Sequence, residues 1–231
     1  MQKHVIFGIG GLILGLAVGF FGANSLNRDA ATQATAAPAA VNAPFAGNTA
    51  NPQASAGGMQ PDVAETLAKA EAEPQNFVAQ MKTGDMYAQI GRFDKAAEFY
   101  KRGLVLKPTD FQANIVVANA LFDSGNFDEA EGYYAKALEI NPKDLNARTD
   151  LGTTFVERTS PDYVRAIAEF DRALEIDPKH EPSLYYLGIA YFRKGDADSA
   201  KKALARLEAA NPSSQLIGRL RQNMEAKPAT Q

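Results

Sequence analysis

Two histidines, two acidic pairs and a cluster of glycines are the residues of this chain that could carry chemistry. His4 and His180 are the only imidazoles. A general base or a metal site built on either needs a second group in reach, and the sequence offers neither a triad partner nor a ligand set beside them. His180 stands at a junction between helical stretches, where a histidine serves as a surface or capping group. Asp128/Glu129 and Asp196/Asp198 each follow a turn, and carboxylates in a first helical turn are stabilised by the helix dipole, so solvated capping explains them. Gly8, Gly10 and Gly11 lack the spacing of a dinucleotide loop and sit in an apolar run. The absence of cysteine excludes disulfides, thiolate zinc sites and thiol nucleophiles. Lys+Arg 24 against Asp+Glu 27, net charge -3, gives no concentrated basic footprint for nucleic acid. The expectation is a protein with no catalytic residue, no cofactor, no metal and no nucleic-acid partner.

Behind a short tail (1–4), residues 5–23 (VIFGIGGLILGLAVGFFGA) contain no charge. As a helix they span roughly 28 Å, near the hydrocarbon thickness of about 30 Å, which predicts a transmembrane helix. A cleaved signal peptide is the rival reading, but its apolar run is ordinarily about 7 to 15 residues and Phe21-Gly22-Ala23 makes a poor cleavage site. Lys3 precedes the run while Arg28 beyond it is offset by Asp29, favouring a cytoplasmic N-terminus and an exported remainder. Gly11, Gly15 and Gly19 recur at four-residue spacing and would let two such helices form a homodimer; glycine is also common in membrane helices generally. Residues 24–60 are rich in Ala, Pro, Thr, Asn and Gln and cannot bury enough surface to fold, so they read as a flexible tether.

The remainder repeats itself. Gly91-Arg-Phe93-Asp-Lys-Ala96 returns 34 residues later as Gly125-Asn-Phe127-Asp-Glu-Ala130 and again as Gly195-Asp-Ala197-Asp-Ser-Ala200. Tyr100 to Pro108 is answered by Tyr134 to Pro142 and Phe170 to Pro178, and Asn211-Pro212 closes a fourth unit. Each unit predicts helix, glycine turn, helix, then a proline that ends the second helix. Small residues at Gly84, Ala118, Gly152 and Gly188 let paired helices approach, and Tyr87, Leu121, Phe155 and Tyr191 fill the space between. Stacked pairs then bury a continuous core. The third turn, Arg158 to Asp162, is two residues longer and lacks the glycine. Asp62 is expected to cap a helix over 61–76 bearing Val63, Leu67 and Ala70. Ser214 is expected to cap another, which with a following tail occupies 215–231, with Leu216, Ile217, Leu220 and Met224 on its apolar stripe.

These spacings and small, aromatic and proline positions resemble the tetratricopeptide-repeat family, with repeats at 77–110, 111–144, 145–180 and 181–214. The resemblance implies an all-α helix-turn-helix solenoid with capping helices. It also implies a concave groove, lined by the first helix of each repeat, that holds a protein or peptide client. Carried over repeat by repeat, the lining is Val78, Met81, Asp85 and Gln89; Ile115, Asn119 and Phe122; Thr149, Thr153 and Val156; and Tyr185, Ile189 and Phe192. Met81, Asp85 and Asp150 stand where relatives that clamp a terminal carboxylate carry cations, which makes such a clamp unexpected. The largely apolar lining suits an amphipathic or apolar segment. The implied function is a membrane-tethered scaffold or assembly factor, similar to bacterial proteins of envelope biogenesis, cytochrome maturation or export, in the inner membrane with its repeats in the periplasm. The alternative is a structural oligomer without a client.

Overall fold

The structure, a computed structural model, describes residues 61–225, with side chains from 64 onward. The expected membrane helix over 5–23 with Gly11, Gly15 and Gly19, the tether over 24–60, and His4 lie outside the described residues. Among the described residues there are ten helices and no strand, and none of those helices is long and apolar enough to cross a membrane.

Helix α1 (Pro61–Ala72) precedes four antiparallel pairs: α2 (Phe77–Gln89) with α3 (Phe93–Leu106), α4 (Phe111–Asp123) with α5 (Phe127–Ile140), α6 (Leu145–Glu157) with α7 (Tyr163–Ile176), and α8 (Glu181–Lys194) with α9 (Ala197–Ala210). α10 (Gln215–Glu225) closes the series. Each pair falls inside its expected repeat. α1 is already helical at Pro61, the first described residue, so Asp62 lies within the helix rather than before it.

Local chemistry sets the boundaries. Asn76, Asp110 and Asp144, spaced one repeat apart, accept the N–H of Ala79, Ala113 and Ala147 at 3.1, 2.8 and 2.8 Å. Each removes one orphan donor at the start of a first helix. Gly91, Gly125 and Gly195 adopt φ of 73°, 80° and 90°, the left-handed region, and turn the chain from first to second helix. The third turn does this without glycine. Arg158 stays extended at φ -64°, ψ 159°, and the longer loop closes when the Asp162 N–H donates to Phe155 O at 2.9 Å. Arg158 pairs with Asp128 and Glu131, and Arg165 with Glu131. Both guanidiniums lie over the Phe155 ring, Arg165 at 4.0 Å from its centroid. Side chains thus hold the turn that backbone geometry holds in the other repeats.

The core runs through the whole stack. Ala96, Ala130, Ala166 and Ala200, the alanines of the repeated turn motif, are all fully buried. Beyond them Tyr100, Tyr134 and Phe170 fill the space inside the first three pairs. Gly84 lies against the Tyr100 ring and Gly152 against Phe170. Gly188 departs from this scheme: its nearest neighbour is Leu220 of α10, not a residue of α9. The fourth repeat has Leu204 where the others carry an aromatic ring, and the shorter side chain leaves that space to the next helix. Ser214 caps α10, accepting the Leu216 N–H at 3.3 Å, and Leu216, Ile217 and Leu220 are buried beneath it.

Candidate peptide-binding face

In a stack of helix pairs the first helices line the inner surface. Here these are α2, α4, α6 and α8, and they are unlike one another in what they leave open. On α2, Val78 is 69% exposed, Asp85 and Gln89 are exposed, and Met81 is half-buried with its thioether beside Gly103. On α4, Ile115 and Asn119 are half-buried. Phe122 is buried, with its ring edge-on to Phe127 at 5.1 Å.

The expectation of an open lining fails on α6 and most of α8. Thr149 and Val156 are fully enclosed and Thr153 nearly so. α6 touches α8 directly, and the Thr149 and Ser183 hydroxyls meet at 2.7 Å between them. Tyr185 and Ile189 are buried as well. α10 packs against α8, Asn223 donates to the Tyr185 hydroxyl at 3.1 Å, and Arg219 lies over its ring. Thr149 thus joins the third repeat to the fourth and Tyr185 joins the fourth to α10, and of the fourth repeat's three expected residues Phe192 alone keeps partial exposure.

Polar groups cross from the second helices to this face. The Tyr100 hydroxyl donates to Asp85 and the Tyr134 hydroxyl to Asn119, both at 2.7 Å and one repeat apart. Tyr134 has its pKa pushed well up, first by burial and then by the negative charges of Asp150 and Asp123. Asp123 was not among the expected residues, although it occupies in α4 the position of Gln89 in α2. Glu157 and Arg193 hold the same position in α6 and α8 and pair with each other at 2.8 Å.

Tetratricopeptide-repeat family models match residues 61–111 and 118–181 in one case and 160–224 in another. Together they reach into every helix just described, leaving residues 112–117 of α4 unmatched. The chain belongs to the tetratricopeptide-repeat family. Membership makes it a protein-interaction scaffold, of a family that is generally non-enzymatic. Among solved structures, the crystal structure of MamA is 23% identical with a TM-score of 0.59, over 65% of this chain and 86% of that one. MamA 41-end from Desulfovibrio magneticus RS-1 is 19% identical with a TM-score of 0.59, over 66% and 85%. TTC0263, a thermophilic tetratricopeptide protein of Thermus thermophilus, is 20% identical with a TM-score of 0.54, over 65% and 84%. The likeness to all three is one of fold. Comparison with curated proteins gave no match.

One arrangement in this tetratricopeptide stack has the outline of catalytic chemistry. His180 Nδ1 lies 2.8 Å from Ser183 Oγ. Ser183 in turn meets Thr149, whose hydroxyl donates to Leu145 O at 2.7 Å. Since Thr149 has spent its proton on that carbonyl, it accepts from Ser183, and Ser183 accepts from His180. The imidazole is therefore protonated on Nδ1 and cannot serve Ser183 as a base through that atom. Ser183 is also fully buried, closed to any substrate. The chain of hydroxyls ties α8 to α6. Burial lowers the His180 pKa, opposed in part by Asp177, Asp144 and Glu181. Among the described residues, no group of three or more His, Asp or Glu could hold a metal ion.

Proposed function

We propose that the chain is a membrane-tethered scaffold or assembly factor that holds an apolar or amphipathic client segment on the inner face of its first two repeats. Residues 5–23 anchor it in a bacterial inner membrane, 24–60 give it reach, and the repeats work on the periplasmic side. The observation that carries the reading is a short aliphatic surface: Val78, exposed, one turn before Met81, with Ile115 at the Met81 position of the next repeat. Burying about 400 Å² there yields roughly 10 kcal/mol gross, most of it offset by ordering, which leaves an affinity on the order of micromolar.

Crosslinking and co-purification from native membranes test this, comparing the full chain with a Val78→Ser, Ile115→Ser variant of equal helicity and melting temperature. Phe122 and Tyr185 are unsuitable targets because both are buried. Partners lost only from the variant support the inner face. Partners kept by both move the search to the outer helices or to residues 1–60. Self-assembly without a client is the competing reading. It predicts one assembled size before and after removal of residues 1–23 if the repeats drive it, and a loss of size if Gly11, Gly15 and Gly19 do.

A further inference from the structure

Each of the first three repeats ends its second helix on an aliphatic residue that is not fully covered. Leu106, Ile140 and Ile176 are the last residues of α3, α5 and α7. Leu106 is half-buried, Ile140 is 42% and Ile176 44% exposed, and Val105 beside Leu106 is 79% exposed. Because they hold one position in successive repeats, they form a row along the edge of the stack where the chain passes from repeat to repeat. The row stops there, since the fourth repeat ends its second helix on Ala210. Single exposed aliphatic residues are ordinary, whereas several set together on one edge mark a contact surface.

The segments that carry this row differ in charge. Val105 to Thr109 has Lys107 and no acid, for +1; Glu139 to Lys143 has one charge of each sign, for 0; Glu175 to Lys179 sets Glu175 and Asp177 against Lys179, for -1. Glu139, Lys143, Glu175 and Lys179 are exposed, and among the described residues no ion pair engages them. Lys107 is exposed too; its ammonium lies 4.2 Å from the centroid of the Phe77 ring, a contact that leaves its charge in place. Asp177 accepts the Lys179 N–H at 2.9 Å, so Glu175 is the open acid of its segment.

From the row and its charge order we infer that the partner of this edge is a second copy of the chain, paired antiparallel about a two-fold axis at Ile140. Ile140 then meets the partner's Ile140, and Val105 and Leu106 meet the partner's Ile176. Lys107 faces the partner's Glu175, and Glu139 faces the partner's Lys143. A parallel pairing would set Lys107 against Lys107 and Glu175 against Glu175, juxtapositions of like charge that interfaces avoid. A surface complementary to itself is what a two-fold interface requires. The strip is small beside the about 800 Å² per partner of a stable interface, so the dimer exchanges readily. It also leaves the inner face of the first helices open, which makes pairing compatible with client binding.

The chain contains no cysteine, so single cysteine substitutions in the full-length protein report one meeting point each. In detergent micelles, with a short bismaleimide crosslinker, Ile140→Cys is expected to crosslink to itself. Val105→Cys and Ile176→Cys chains, when mixed, should crosslink to each other about 10-fold more than either does to itself, as a two-fold axis between them requires. Lys107→Glu should lower Ile140→Cys crosslinking several-fold, and adding Glu175→Lys should restore it, which a loss of folding would not. Self-crosslinking of Val105→Cys and of Ile176→Cys at the level of the mixture overturns the inference. So does capture at none of the three positions, or a charge reversal that changes nothing. Association through residues 1–23 alone would favour no one of these pairs and overturns it equally.

Discussion

Gly152 and Gly132 are both helical glycines, yet a β-carbon would meet opposite fates at the two positions. At Gly152 it would come within 2.5 Å of the Phe170 ring; at Gly132 it would meet nothing within 4 Å. Gly152→Ala is therefore expected to destabilise by about 1–3 kcal/mol through overpacking. Gly132→Ala should stabilise by about 0.5–1 kcal/mol, since alanine restricts the unfolded chain and suits a helix. Urea midpoints at unchanged slope check both. His180 sets a pH dependence. Burial lowers its pKa in the folded chain, so below about pH 6.5 the unfolded chain takes up a proton that the folded one resists. The unfolded state then binds more protons, and stability falls as pH drops from about 7 through 6.5 toward the folded pKa. His180→Gln should flatten that part of the stability–pH curve. An unchanged slope would show that the imidazole is more solvated than its setting at the start of α8 indicates.

At the scale of the helix pair, the glycine turns and the glycine-free turn reach one geometry by different means. Gly195, at φ 90°, holds a left-handed residue after α8. Gly195→Ala should cost about 1–2 kcal/mol even though its β-carbon would meet nothing. Arg158→Ala should cost about 1 kcal/mol, by removing the pairing with Asp128 and Glu131 and the contact with Phe155. Added salt should weaken the Arg158 contribution and leave the glycine one alone, which separates the two by denaturation at low and high ionic strength. The repeat period, turn glycines, terminal prolines and fill between paired helices were all legible in the sequence, because each is fixed by residues a few turns apart. The open part of the groove was not. Whether Thr149, Thr153 and Val156 see solvent depends on how near α8 comes to α6, and Tyr185 depends on α10. Those distances are set by side chains a full repeat or more away, such as Ser183 and Asn223, which the pattern of a single repeat does not contain.

A stack in which each helix pair meets mainly its neighbours should lose stability locally. Both ends are finished by helices with polar outer faces: α1 leaves Glu65, Lys69 and Glu71 exposed, and α10 leaves Gln215, Arg221 and Gln222 exposed. α10 is the more critical, because Leu220 is fully buried and fills the space at Gly188 that Leu204 leaves. Leu220→Ala removes that filling and is expected to cost about 2–4 kcal/mol. In a domain with one shared core, such a loss lowers the protection of every amide that exchanges by global unfolding. Here the loss should concentrate in α8, α9 and α10, passing to α6 through Thr149 and Ser183, while α2 to α5 keep their exchange rates. Hydrogen-exchange mass spectrometry of the two chains decides between these. A graded response would mean that the inner face of the first two repeats remains folded while the C-terminal pair opens. A uniform response would mean that the pairs unfold as one unit and that neighbour-only coupling does not describe this solenoid.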